Sequence, residues 1–228
     1  MSLISEVPQT FFALGASFEV LAGLTAFLIG FFGLKVYNYA SDKKYYWFSL
    51  AFFFISISFF AGSFVHLLLY LDLKEPLMGL FKVIDFAISS VYVVLLLSAY
   101  TLLLSVSSNL SNKRVVLFIL LLSCLMVFMA GSTENLLRTF FLLLFLMILF
   151  VTLNYFENFA RKTNIATLLS FLAFVSMTVG HGMLYAKSLL TYLTPLLYMG
   201  GYFFLLFGYI ILLFSVVRLT FKRKRFKK

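Results

Sequence analysis

Apolar residues run through this chain in seven long blocks, about Thr10–Val36, Tyr46–Leu71, Leu77–Val106, Val115–Ala130, Thr139–Phe156, Ile165–Ala186 and Pro195–Leu219. A helix needs roughly 20 residues to cross ~30 Å of hydrocarbon. An open strand in lipid would leave its backbone groups unpaired, so each block reads as a helix. The fourth and fifth blocks are the shortest. The links are short and polar: Asn38–Lys44, Asp72–Pro76, Ser107–Arg114, Gly131–Arg138, and short stretches holding Arg161, Lys162 and Lys187. The prolines Pro8, Pro76 and Pro195 all sit at block ends, so none breaks a helix in its middle. The pattern predicts an all-α integral membrane protein, a seven-transmembrane-helix bundle over residues 1–220.

Composition strengthens this reading. Hydrophobic residues make up 63% of the chain and charged residues 11%, against roughly 45–50% and about 25% in a soluble domain. That is more apolar surface than a core of this size can hide. The first nine residues, MSLISEVPQ, lack a basic region, so no cleavable signal peptide is expected. The single cysteine, Cys124, has no intrachain partner for a disulfide.

The net charge of +10 is distributed in a way that sets orientation rather than implying nucleic-acid binding. One side of the membrane collects Lys35, Lys43, Lys44, Lys113, Arg114, Arg161, Lys162 and Arg218; the other has Lys74, Lys82, Arg138 and Lys187. The positive-inside rule puts the first side in the cytoplasm. A multi-pass protein of the cell membrane is expected, with its N-terminus outside and its C-terminus inside. Residues 221–228 form a basic cytoplasmic tail. Phe221 and Phe226 are interleaved there with Lys222, Arg223, Lys224, Arg225, Lys227 and Lys228. With Arg218, these basic residues suit anionic lipid.

The blocks also repeat. Leu50–Tyr70 and Ile165–Tyr185 have the same length and both end in His-x-x-x-Tyr, and these contain the only two histidines, His66 and His181. Val91–Ser107 and Gly201–Val217 agree at 7 of 17 positions, including Tyr92 with Tyr202 and Ser105 with Ser215. Asn38-Tyr39-Ala40 resembles Asn158-Phe159-Ala160. Two three-helix units, 10–107 and 139–219, with helix 115–130 as a connector, give a 3+1+3 parallel repeat.

Ionisable groups inside lipid are functional candidates. Glu19 lies in the first block, and Lys82 and Asp85 pair at i,i+3 in the third. His66 with Tyr70, and His181 with Tyr185, share helix faces at i,i+4. In the predicted topology these groups lie in the outer half. With Tyr92 they make up the candidate ligand-binding or sensing set. Glu19 has no base near it on its own helix, so it is expected to be protonated, or paired across helices with Lys82 or a histidine. Should Glu19 and Asp85 converge at one depth, one of the two carboxyls is expected to keep its proton. The expected cofactor set is empty. Two symmetric histidines, His66 and His181, make axial haem ligation the alternative. No catalytic nucleophile or metal cluster is visible, and the seventh block has no lysine to hold retinal.

The run His181–Leu219, HGMLY followed by YLTPLLYMGGYFFLLFGYIILLFSVVRL, resembles the last two helices of seven-helix membrane sensor domains. These stand at the N-terminus of many archaeal and bacterial histidine kinases. There a histidine ends the sixth helix, and a Gly-, Tyr- and Leu-rich seventh helix leads by an arginine to the output domain. The present sequence stops at Lys228, so the resemblance implies the sensing module alone, without kinase activity. The expected function is that of a receptor- or sensor-like membrane protein signalling to a membrane or cytoplasmic partner. The alternatives are a small transporter built from two three-helix repeats and an accessory subunit of a membrane complex.

Overall fold

The computed structural model describes residues 9–70, 78–108, 113–128, 133–190 and 194–226, and they form seven α-helices. These are α1 (Gln9–Ala40), α2 (Lys43–Tyr70), α3 (Met78–Ser107), α4 (Lys113–Phe128), α5 (Thr133–Arg161), α6 (Ile165–Leu189) and α7 (Thr194–Phe226). Six of them, all but α4, are long and apolar enough to cross a membrane. With 16 residues, α4 extends about 24 Å at 1.5 Å per residue, short of ~30 Å of hydrocarbon.

The six long helices close into a ring in the order α1, α2, α3, α5, α6, α7, with α7 packed back on α1. Among the described residues, α4 touches only α3 and α5. It leaves Leu117, Phe118, Leu121 and Leu125 more than half exposed. The ring interior is filled by residues such as Phe52, Leu97, Leu144, Phe174 and Leu205. Its outside is equally apolar: Leu21, Leu24, Phe27 and Phe31 on α1, and Phe203, Phe207, Ile210 and Phe214 on α7, are exposed. A surface of this kind is at home in lipid rather than water, so the chain is a multi-pass membrane protein.

Side-chain contacts fix the helix directions. Glu19, early in α1, meets His66, late in α2, and Tyr202, early in α7. Arg138, early in α5, donates from Nε to the carbonyl of Ser188 at the end of α6, at 3.0 Å. Asn154, late in α5, donates to the hydroxyl of Ser107, the last residue of α3, at 3.2 Å. Helices α1, α3, α5 and α7 therefore run one way, and α2 and α6 the other. The end where α1 begins is called the near end below, and the other the far end. The chain leaves α3 at the far end and enters α5 at the near end. Residues 108–132, α4 included, carry it back.

Small residues and hydroxyls hold neighbouring helices together, as lipid surroundings demand. A methyl group on Gly208 would stand 2.8 Å from the Ala173 carbonyl oxygen, and one on Gly180 2.8 Å from that of Gly201. Only glycine lets α6 and α7 approach so closely. Ser176 donates across the same seam to the Phe204 carbonyl at 2.7 Å. Between α5 and α6, the Thr152 and Thr178 hydroxyls meet at 2.7 Å.

Local signals set several helix ends. Ser41, with φ 53°, ends α1 in the left-handed conformation. Asp42 then caps α2 by accepting from the Lys44 amide at 3.0 Å. Asn164 caps α6 in a reciprocal box with Thr167. The fifth apolar block, Thr139–Phe156, proves to be the middle of a longer helix. Residues 133–138 and 157–161 join its ends, because hydrogen-bonded turns continue into the interfacial zone, where Asn135 and Glu157 are exposed. Likewise α7 does not stop at Leu219 but continues through the basic segment to Phe226.

Candidate functional site

Glu19 is 1% exposed, one of the most deeply buried charged residues among those described. Its position nine residues inside an apolar block leaves no water to solvate it, so its oxygens need protein donors. Oε1 accepts from the Tyr202 hydroxyl at 2.7 Å, and Oε2 faces His66 Nδ1 at 2.8 Å. The other ring nitrogen, His66 Nε2, meets the Tyr198 hydroxyl at 3.2 Å. Gly62, one turn before His66 on α2, makes room for the carboxyl: a Cβ there would lie 3.1 Å from both Glu19 oxygens. Lys187, near the end of α6, places Nζ 4.4 Å from the centroid of the Tyr198 ring, a cation–π contact. The group thus joins α1, α2, α6 and α7 at the near end. Its exposure is one-sided: the His66 side chain is 20% exposed and that of Glu19 2%. The accessible part of the group is the His66 ring, not the carboxyl.

A second polar group lies deeper. The Tyr100 hydroxyl on α3 meets His181 Nε2 on α6 at 2.5 Å and the Tyr209 hydroxyl on α7 at 3.3 Å. All three side chains are buried. His181 Nδ1 is buried without a hydrogen-bond partner among the described residues. Tyr209 follows Tyr202 by two turns of α7, which is roughly 10 Å along the axis at 1.5 Å per residue.

Among the described residues, the sequence-derived candidates Glu19 and His181 therefore do not lie at one depth. Glu19 and His66 come together, and His181 belongs to the separate, deeper group. The two histidines occupy corresponding late positions on α2 and α6, yet their partners differ: a carboxyl and a tyrosine for His66, tyrosine alone for His181. Tyr92 packs edge-on against Phe140 of α5 at 5.8 Å, and its carbonyl accepts from Ser58 at 3.3 Å. Tyr185 stacks on Phe145 of α5 at 6.5 Å. Within the described contacts it joins neither polar group. The side chains of Tyr70, Lys82 and Asp85 lie outside the described residues, as do those of Lys222 to Lys228; Arg218 is exposed.

Five functional candidates escaped the sequence reading: Tyr100, Lys187, Tyr198, Tyr202 and Tyr209. Tyr198 and Tyr202 share an i,i+4 face of α7, and this spacing was the available signal. Axial haem ligation takes one ring nitrogen, so His66 would give up either Glu19 or Tyr198, whereas His181 could offer Nδ1 and keep Tyr100 on Nε2. No group of three His, Cys, Asp or Glu side chains suited to a metal ion occurs among the described residues.

The near-end group can hold a proton on either side of the Glu19–His66 contact. One further proton on the carboxylate–imidazolium form would give a carboxylic acid beside imidazolium. Each form presents a different set of donors and acceptors to Tyr198 and Tyr202 on α7. Compared with known protein families, curated proteins and solved structures, the chain shows no significant match.

Proposed function

We propose that the chain is a receptor- or sensor-like membrane protein whose input site is the Glu19–His66–Tyr198–Tyr202 group. The observation that carries this reading is the buried Glu19 carboxyl, bonded at once to α2 and α7. A proton or a small cationic ligand arriving at the His66 edge changes the bonds between the first and last helices. The shift travels along α7, which continues without interruption into the basic segment. In the proposed topology the chain crosses the membrane seven times, with residues 108–132, which include α4, making the fourth crossing, and the near end faces the exterior. The far end, with Lys35, Lys43, Lys44, Arg161 and Arg218, faces the cytoplasm. A sensing module of the histidine-kinase type fits this layout. So does a 3+1+3 repeat, because the α1–α7 and α3–α5 contacts that close the ring occupy equivalent places in the two units.

The test uses spin labels on Lys35→Cys and Phe221→Cys, on the far halves of α1 and α7, in a Cys124→Ser background. The distance between them should change on acidification in lipid nanodiscs, and Glu19→Gln should abolish the change. A response that persists in Glu19→Gln refutes the reading. The deeper Tyr100–His181–Tyr209 group supports the second reading, a small transporter, since it continues polarity towards the middle of the bundle. Proton or solute flux into liposomes that is lost in His181→Phe would favour it.

A further inference from the structure

A groove of about 850 Å³ opens at the far end, on the side of the ring away from the Glu19 group. Its size falls within the roughly 300–1,000 Å³ of small-molecule sites. Three helices line it. The start of α2 gives Lys43, Lys44, Trp47 and Phe54, the end of α3 gives Ser98 and Val106, and the first two turns of α4 close the third side. Its origin is the shortness and outlying position of α4, which leans on α3 and α5 without touching α2 among the described residues.

The groove has two chemically distinct parts. Its mouth is the α1–α2 turn, where Lys43 and Lys44 are both exposed. Asp42 shares this rim, with one carboxylate oxygen capping α2, and the two lysines leave the rim net positive. Below the mouth the wall is mostly apolar, broken by Ser98, Thr101 and Ser105 of α3. The Ser98 and Thr101 hydroxyls both bond back to carbonyls of their own helix, at 2.7 Å each, so they present satisfied surfaces. From Lys43 to Phe54 the wall descends roughly 16 Å at 1.5 Å per residue, about half of a ~30 Å hydrocarbon layer. Cations at the membrane surface above an apolar slot one leaflet deep complement one kind of molecule.

We infer that this groove is a binding site for an anionic membrane lipid, with its headgroup on Lys43 and Lys44 and an acyl chain between α2 and α4. The bound chain fills the gap that α4 leaves beside the ring. The site is separate from the basic segment of α7, and its lysines lie on another helix.

Trp47 is the only tryptophan of the chain, and it lines the groove. It is also 40% exposed, so its fluorescence reports occupancy as the difference between anionic and neutral quenchers. The full-length protein is placed in nanodiscs of phosphatidylcholine carrying a minor fraction of chain-brominated lipid, either phosphatidylglycerol or phosphatidylcholine. Brominated phosphatidylglycerol should quench Trp47 at a several-fold lower mole fraction. Lys43→Gln with Lys44→Gln should remove this preference, by roughly fivefold per lysine. Ser98→Phe, which obstructs the slot without altering charge, should reduce quenching by the anionic lipid. Neutralising Lys222, Arg223, Lys224 and Arg225 should leave the preference intact. Equal quenching by the two lipids overturns the inference. So does a preference that survives the double lysine variant, or one that disappears with the α7 charges.

Discussion

At the scale of single residues, Glu19 determines what its neighbours must be. A buried carboxyl stripped of one donor keeps its desolvation penalty without the compensating bond. Tyr202→Phe should therefore destabilise the protein by about 1–3 kcal/mol, read as a lower unfolding midpoint in detergent. Tyr198→Phe should have a smaller effect, because its partner His66 is partly exposed and their contact is longer, 3.2 Å against 2.7 Å. Equal effects would mean that Tyr202 acts by packing alone. Glu19 and His66 were legible in the sequence because an ionisable group in an apolar block stands out. Their tyrosine partners were not. The chain has 13 tyrosines, tyrosine is common near span ends, and only the fold selects the two that face the carboxyl.

At the scale of helices, the α6–α7 seam depends on the absence of side chains. Gly208→Ala would press a methyl group against a backbone oxygen that cannot rotate away. It should lower stability by about 1–3 kcal/mol, measured as a shift in thermal unfolding midpoint. Gly23→Ala in α1 should be tolerated, because its nearest neighbours stand 3.4 Å away and are side-chain atoms. Seven helices were readable from the apolar blocks, but their limits were not. Apolarity marks where a helix meets lipid, whereas capping and interfacial hydrogen bonds decide where it stops. That is why α5 reaches Thr133 and Arg161, and why α7 absorbs a segment that its charges had set apart as a tail. The standing of α4 differs for the opposite reason. Val115–Ala130 is as apolar as its neighbours, yet its 16-residue helix packs on the outside of the ring.

At the scale of the molecule, alternating helix directions and the distribution of basic residues together predict the orientation. In a Cys124→Ser background, Ser111→Cys should react only with thiol reagents admitted to the cytoplasm, and Ser188→Cys with impermeant reagents outside. The reverse pattern would overturn the charge argument and move the Glu19 group to the inner side. The proposed repeat was legible as paired motifs. What the pairing hid is that corresponding histidines can have unlike partners, since His66 faces a carboxyl contributed by α1 and His181 does not. The closure of α7 on α1 also bears on how the protein is made. Glu19 and Tyr202 are separated by 183 residues. At synthesis rates of about 5–20 residues per second, Glu19 emerges from the ribosome roughly ten to forty seconds before Tyr202. For most of that interval the growing chain holds an open ring and a carboxyl that has His66, 47 residues downstream, but not Tyr202. The Glu19 group is thus complete only after the last helix arrives.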